Sequence, residues 1–229
     1  MFSTMGTFNP SYIESLSPDS PQLFPTKGDS IEAMSEDCHS PLRYPPLHLA
    51  ALDGNTTTVE RILRMKCISI EALDAHNRTP LHYAAQEGHS ITIGLLLRNG
   101  ASTEAMDHDN NTPLHLAARS GHTGMVELLL RKGAPIEAMD KDDNTPLHLA
   151  ARNGYTGMAE LLLRKGAPIE TMDKDNNTPL HLAAQSGHAS VIRILRNYSA
   201  LTRARNKYNR FPYELAPGGT HSDIGRQLW

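Results

Sequence analysis

Apolar and polar positions alternate along this chain in blocks that share one internal pattern. In the block at residues 145–177, Thr145 suits a helix N-cap, and Pro146 suits the first helical position because its missing N–H has no partner to lose there. The pattern predicts a short helix that begins at Pro146 and ends at Gly154 in the left-handed conformation. Its apolar face is formed by Leu147, Leu149, Ala150 and Ala151.

The second half of the block predicts another helix and a turn. The helix covers MAELLLRK at residues 158–165 and ends at Gly166. The stretch APIETMDKDNN at residues 167–177 predicts an extended segment followed by a tight turn with one residue at positive φ. That position holds residues that tolerate positive φ in every copy of the block, namely Asn77, Asn110, Asp143, Asn176 and Asn209.

The blocks form an internal repeat. Their common motif, TPLHLAA or a close variant, places a proline at Pro46, Pro80, Pro113, Pro146, Pro179 and Pro212. The predicted units are residues 45–78, 79–111, 112–144, 145–177, 178–210 and a truncated unit at 211–229. Helices of about two turns are unstable in water when isolated, so we expect the units to stack into one continuous all-α rod.

The motif T-P-L-H-x-A-A, the 33-residue period and the glycine-terminated helix pair resemble the ankyrin repeat family over residues 45–229. The resemblance implies an all-α solenoid of helix–turn–helix units with protruding β-turn fingers. It also implies that the concave face and the finger tips bind other proteins. It assigns hydrogen bonds between neighbouring units to the motif histidines, which are His48, His82, His115, His148 and His181.

Both ends of the chain depart from the repeat. Residues 1–22 are rich in serine and proline, and we expect a disordered arm there. Residues 23–43, LFPTKGDSIEAMSEDCHSPLR, align without gaps to residues 128–148, so 23–44 is interpreted as a degenerate half-repeat or N-terminal cap. In the last unit we expect residues 217–219, Pro-Gly-Gly, to interrupt the first helix. Ile224, Leu228 and Trp229 are then expected to cover the final interface.

Composition narrows the class of partner and the compartment. The net charge of −3 gives no general attraction to nucleic acid or to membranes. No apolar run approaches the roughly 20 residues of a membrane-spanning helix. The only two cysteines, Cys38 and Cys67, form no disulfide framework, which favours a reducing compartment. We therefore expect a monomer in the cytoplasm or nucleus.

The sequence predicts no catalytic, metal or cofactor site. Eight of the twelve histidines belong to the repeat pattern, and no Cys/His cluster has metal-ligand spacing. No phosphate-binding loop or nucleophile elbow is present in the sequence, so we expect no enzyme activity, with a site in the irregular ends as the alternative. A basic stretch is interpreted as a solvated face or a surface for an acidic protein rather than for nucleic acid: Arg193, Arg196, Arg203, Arg205, Lys207 and Arg210.

One repeated position is unusually apolar for a segment that leads into an acidic turn. It holds Leu73, Met106, Met139 and Met172, followed by Arg205 in the next unit. Because the units stack, these side chains are expected to form a stripe along the fingers. Acidic residues are expected beside it: Asp74, Asp107, Asp140 and Asp173, with Glu71, Glu104, Glu137 and Glu170 nearby.

Two interpretations of this stripe remain open. In the first, the methionines pack between fingers and stiffen them, while the aspartates hydrogen-bond their own backbone. In the second, the stripe is an adaptable apolar contact surface, flanked by negative charge, for a basic amphipathic segment of a partner protein. The predicted function is non-catalytic protein binding as an adaptor, scaffold or regulator. The alternative is a transcriptional co-regulator that acts through partner proteins.

Overall fold

A computed structural model describes residues 46–65 and 68–218. The chain divides into two compact units, Met1–Ser40 and Pro41–Trp229, and all the described residues belong to the second. The predictions made for residues 1–22 and 23–44, and those for Ile224, Leu228 and Trp229, lie outside the described residues. The described residues contain eleven helices and no strand.

The helices come in pairs, one pair per repeat. The first helices of the units are α1 (Pro46–Leu52), α3 (Pro80–Glu87), α5 (Pro113–Ser120), α7 (Pro146–Asn153), α9 (Pro179–Gln185) and α11 (Pro212–Leu215). The second helices are α2 (Thr56–Met65), α4 (Ser90–Arg98), α6 (Thr123–Arg131), α8 (Thr156–Arg164) and α10 (Ala189–Asn197).

In the unit at residues 145–177 the predicted limits of α7 are confirmed, whereas α8 begins at Thr156, before the predicted start at Met158. Thr145 is extended, with φ −87° and ψ 167°, and α7 begins at Pro146. Gly154 ends α7 with φ 77°, and Gly166 follows α8 with φ 90°. The predicted turn residues also have positive φ, between 55° and 61°, at Asn77, Asn110, Asp143, Asn176 and Asn209.

The helices pack as two layers that run along the stack. Each first helix contacts the first helix of the next unit, from α1 through to α11. Small residues such as Ala150 and Ala151 are fully buried between them, which lets the helices approach closely. In the first five units the leucine that follows the motif proline is buried in the first layer (Leu47, Leu81, Leu114, Leu147 and Leu180). Four of these units also bury a leucine at an equivalent position of the second layer (Leu96, Leu129, Leu162 and Leu195). The result is one continuous aliphatic core, which confirms the predicted all-α repeat stack.

The last described helix is short, as the sequence predicted. Helix α11 contains four residues and stops at Leu215, and Ala216 is extended with φ −64° and ψ 138°. Ala216 precedes Pro217, and the residue before a proline is disfavoured in helical conformation because the proline ring crowds its backbone. The proline therefore accounts for the interruption.

Candidate protein-binding surface on the repeat fingers

The turn at the tip of each unit is here called the finger. One aspartate holds it in the first four units, and Asn206 holds it in the fifth. Asp107 Oδ1 accepts hydrogen bonds from the backbone N–H groups of Asp109 at 2.9 Å and Asn111 at 2.8 Å. The side-chain amide of Asn111 donates to the same carboxylate. Asp74, Asp140 and Asp173 hold their own turns in the same way. These bonds satisfy backbone donors that a tight turn would otherwise leave unpaired.

The structure corrects the expected acidic row. Asp107, Asp140 and Asp173 are only 5–7% exposed, so their carboxylates support the finger from inside and do not line its surface. Buried carboxylates need compensation. Arg78 Nε lies 3.4 Å from Asp107 Oδ2, and Arg119 Nη2 lies 3.6 Å from Asp140 Oδ2. Arg78 belongs to the unit before that of Asp107, and Arg119 lies on α5 in the same unit as Asp140. Neither arginine is close to its aspartate along the chain, so the local sequence does not reveal the pair.

Neighbouring fingers are joined through their backbones. The N–H of Lys141 donates to the carbonyl of Asp109 at 2.8 Å, and the N–H of Lys174 donates to that of Asp142 at 3.1 Å. The same bond joins His108 to His76 and Lys207 to Asp175. Lys141 Nζ also donates to Asp109 Oδ1 at 2.8 Å, and this hydrogen bond lowers the pKa of Asp109. The row of fingers is therefore a connected surface, not a set of independent loops.

The motif histidines join each helix to the next finger. The backbone N–H of Thr145 donates to His148 Nδ1 at 3.1 Å, so the proton of the neutral ring is on Nε2. Nε2 donates to the carbonyl of Asn177, the residue that directly precedes the next unit, at 3.1 Å. His82, His115 and His181 repeat this pattern. The resemblance assigned these histidines hydrogen bonds between neighbouring units. In units that begin at the motif threonine, each bond instead reaches the last residue of the same unit, directly before the next one.

Burial keeps these histidines neutral. Desolvation lowers the pKa of His82 to about 4 and is the largest influence on it. It also lowers the pKa values of His115, His148 and His181. A second proton, on Nδ1, would face the N–H of the capping threonine, so the charged ring does not fit this geometry. The arrangement is structural and leaves no histidine of this set poised for catalysis.

A second link between units follows each helix-ending glycine. His89, His122 and His188 donate from Nε2 to the carbonyls of Leu52, Gln86 and Arg152 in the preceding unit, at 2.9–3.0 Å. Tyr155 takes this place in one unit, with its hydroxyl 3.5 Å from the carbonyl of Arg119. The rings lie against glycines of the preceding unit, where an added Cβ would come within 2.6–2.9 Å of the ring at Gly54, Gly88, Gly121 and Gly154.

The apolar position of the fingers is exposed in four consecutive units. Leu73 is 56% exposed, Met106 51%, Met139 41% and Met172 45%, and these four residues are called the methionine stripe below. The corresponding Arg205 ends the stripe. Its guanidinium lies 4.1 Å from the centroid of the Phe211 ring, and Nη1 donates to the carbonyl of Asn209 at 3.0 Å.

The glutamates beside the stripe divide into two kinds. Glu71 accepts from the backbone N–H of Ser102 at 2.8 Å, and Glu170 accepts from that of Leu201 at 2.7 Å. For Glu104 and Glu137, the positions equivalent to the donors Ser102 and Leu201 hold Pro135 and Pro168, which have no backbone N–H to donate. Sequence analysis overlooked this signal, although the two prolines are visible in the repeat.

Two exposed charges therefore remain beside the stripe. Within the described residues, the side-chain carboxylates of Glu104 and Glu137 accept no hydrogen bond, and both residues are exposed. They precede Met106 and Met139 by two positions. The negative charge predicted to flank the methionines is thus supplied by these glutamates, while the turn aspartates are buried.

The basic stretch near the end of the described chain is partly committed to internal contacts. Lys207 pairs with Asp175, and Arg205 lies over Phe211. Tyr208 and Leu201, in the same stretch, are more than 60% exposed.

The residues that the structure describes hold no group of three or more His, Cys, Asp or Glu arranged for a metal ion. Over the same residues, no helix is both long and apolar enough to cross a membrane.

Comparison with known proteins gives two similarities. A sequence model of ankyrin repeats matches the chain in three overlapping copies, at residues 25–107, 92–173 and 135–210. The human transient receptor potential cation channel subfamily A member 1 is 42% identical over 76 residues. That match covers 31% of this chain and 6% of the channel subunit, so the similarity concerns a small part of the larger protein.

Proposed function

The chain belongs to the ankyrin repeat family, whose members are in general protein–protein interaction modules, and from this premise we propose that it is a non-catalytic binding protein. It acts as an adaptor, scaffold or regulator in the cytoplasm or nucleus, and it does so as a monomer. Its effect on a partner comes from holding a complementary surface in place.

The observation that carries this proposal is the methionine stripe. The large apolar side chains at most other repeat positions are buried, whereas the stripe leaves 41–56% of each side chain exposed in four consecutive units. Repetition at one position along a stack places the four side chains in a row. Methionine is unbranched and polarisable, so it adapts to partner side chains of different shapes.

The fingers under the stripe are already ordered before a partner binds. Asp107, Asp140 and Asp173 hold the turns from inside, and backbone hydrogen bonds join Lys141 to Asp109 and Lys174 to Asp142. A preorganised surface loses little conformational entropy on binding, which favours affinity. The buried aspartates thus support the proposed contact surface without touching the partner.

The charge beside the stripe indicates the kind of partner. Glu104 and Glu137 are exposed, and their carboxylates accept no hydrogen bond from the described residues, so each carboxylate is available to a cation on the partner. A helical segment that carries lysines or arginines beside an apolar face is complementary to this surface. Its apolar face can contact the stripe, and its cations can pair with the carboxylates. We assign such a basic amphipathic segment as the ligand.

The test is a triple substitution in the stripe. Met106→Lys, Met139→Lys and Met172→Lys together should leave the thermal unfolding temperature within a few degrees of the parent, because about half of each side chain is in water. Binding of a synthetic helical peptide with leucines on one face and lysines around it should fall at least about tenfold in fluorescence anisotropy, because the new lysines repel the peptide.

A matched control keeps the interpretation clear. Ile91, 72% exposed on α4, is the most exposed large apolar residue outside the stripe, and Ile91→Lys should change neither folding nor peptide binding. A large drop in the unfolding temperature of the triple variant would instead support the packing interpretation of the methionines. Unchanged peptide binding by a folded triple variant would remove the stripe as the contact surface.

A further inference from the structure

The methionines of the stripe differ from those of the core in how much of each residue is exposed to solvent. Met106, Met139 and Met172 are 41–51% exposed, whereas Met125 is 6% and Met158 is 0% exposed on helices of the same units. Thioether oxidation requires that the oxidant reach the sulfur lone pair, so accessibility decides which methionines react. Among the described methionines, the three in the stripe and Met65 on α2 are therefore open to an oxidant, whereas Met125 and Met158 are protected in the core.

We propose that Met106, Met139 and Met172 are a site of reversible oxidation by hydroperoxides, and that formation of the sulfoxides releases the partner. The first part concerns this chain alone. The second part rests on the protein-binding function proposed above.

The chemistry is a two-electron oxygen transfer. The sulfur lone pair attacks the terminal oxygen of the hydroperoxide, an S–O bond forms and the O–O bond breaks. The proton of the transferred oxygen moves to the departing oxygen, which leaves as water from hydrogen peroxide or as an alcohol from an organic hydroperoxide. Sulfur is oxidised and the peroxide is reduced. A sulfoxide reductase restores the thioether with two thiols, which become a disulfide while the oxygen leaves as water.

The consequence for the surface is a change from apolar to polar at three of its four positions. A sulfoxide carries a strong dipole that must be desolvated when a partner covers it, whereas a thioether needs no such step. The stripe side chains lie outside the buried core, so the fold tolerates the change. Leu73, the fourth member, cannot be oxidised, and its apolar contact remains.

The first measurement needs no partner. The folded chain is treated with hydrogen peroxide, and sulfoxide at each methionine is followed by peptide mass spectrometry over time. Met106, Met139 and Met172 should react at least about ten times faster than Met125 and Met158. Reaction of the buried pair at the same rate, with the circular dichroism spectrum unchanged, would overturn the proposal. Addition of methionine sulfoxide reductases with dithiothreitol should reverse the modification.

The second measurement follows binding of the basic amphipathic peptide before and after peroxide treatment. The affinity of the parent chain for the peptide should fall at least about tenfold, because the sulfoxides must be desolvated when the peptide binds. The affinity should return after the reductase step. The variant Met106→Leu, Met139→Leu and Met172→Leu keeps apolar side chains of similar volume and should bind in both conditions. Met65→Leu removes an exposed methionine on α2 outside the stripe, and this control should respond to peroxide as the parent does.

The outcomes separate the two proposals. Failure of the untreated parent to bind the peptide contradicts the assigned ligand. Equal binding by untreated and oxidised parent, with the three sulfoxides confirmed by mass, contradicts the oxidative release. Met1, Met5 and Met34 lie outside the described residues and are present in every variant, so their oxidation is a common background.

Discussion

At the scale of single residues, His148 shows why the motif needs an imidazole. Its Nδ1 accepts from the N–H of Thr145 at the start of the unit, while Nε2 donates to the carbonyl of Asn177 at the end of the finger. A neutral imidazole offers one acceptor and one donor on opposite sides of a rigid ring. In the last described helix Glu214 takes this place and accepts from the N–H of Phe211, but a carboxylate has no proton for a second bond.

Removal of this ring should be costly for the fold. His148→Ala leaves a buried N–H and a buried carbonyl without their partner and adds a cavity, so we expect the free energy of unfolding to fall by about 2–4 kcal/mol. Urea denaturation followed by circular dichroism measures it. His76→Ala, at an exposed finger residue, is the control and should change it by less than about 0.5 kcal/mol. Equal effects of both substitutions would contradict the two-sided role.

The same residues predict sensitivity to acid. Burial lowers the pKa of His82 to about 4 and lowers the pKa values of His115, His148 and His181, while an unfolded histidine titrates near 6.5. Between these values the unfolded chain binds more protons than the folded chain, so acid favours unfolding. Stability should be fully present above about pH 6.5 and should decline as the pH falls towards 4.

Urea denaturation at several pH values tests this expectation. For His82 alone, the difference between 6.5 and about 4 corresponds to a loss on the order of 3 kcal/mol at low pH. A variant with His82→Asn should show a shallower dependence between pH 6.5 and 5, because one titrating group is gone. A midpoint that does not move between pH 7 and pH 5 would rule out the proposed protonation linkage.

At the scale of elements, the finger turn depends on one left-handed residue. Asn110 has φ 57°, and its side chain is exposed, so its identity matters through the backbone and hardly through contacts. Asn110→Val should destabilise the protein by about 1–2 kcal/mol, because a β-branched residue is strained at positive φ. Asn110→Gly should be nearly neutral, since glycine adopts this conformation without steric strain.

Thermal unfolding of the two variants in parallel measures the difference. The same bonds from Asp107 hold the turn in both, so a loss of stability restricted to the valine variant isolates the backbone effect. If the glycine variant lost as much stability as the valine variant, the asparagine side chain would have to make a contact beyond those described.

At the scale of the whole repeat stack, the stability of each unit depends on its contacts with the neighbouring units. Helix α7 contacts α5 on one side and α9 on the other, and Leu147 is 1% exposed between them. Leu147→Ala should lower the free energy of unfolding by about 2–5 kcal/mol. Because each unit contacts mainly its neighbours, amide hydrogen exchange should rise most in α5, α7 and α9 and least in α1.

Hydrogen exchange with mass spectrometry measures the amide exchange of each unit separately. A graded rise around α7 indicates nearest-neighbour coupling. An equal rise in every described helix would show instead that the stack opens only as a whole, and the nearest-neighbour account would then be wrong. The core is built from equivalent leucines, so Leu114→Ala should move the centre of the exchange pattern to α5.

Particular residues show how much of the fold and of the candidate surface could be predicted from the sequence. Thr145, Pro146 and Gly154 predicted the limits of α7 correctly, because caps depend on the backbone of a few adjacent residues. The exposure of Met139 also agrees with its predicted place on a finger. The burial of Asp140 was not predicted, because it depends on Arg119, which lies on α5 and far from Asp140 along the chain.

The sequence by itself determined the repeat, the helix pairs and the left-handed turn residues, because these follow from local backbone chemistry copied at a fixed period. The tertiary structure alone decided which acidic residues reach the surface. Glu170 is held by the N–H of Leu201, whereas Glu137 faces Pro168, a residue without an N–H. The physical reason is that a side chain is buried or free according to the donors that the neighbouring unit presents, roughly 30 residues away along the chain.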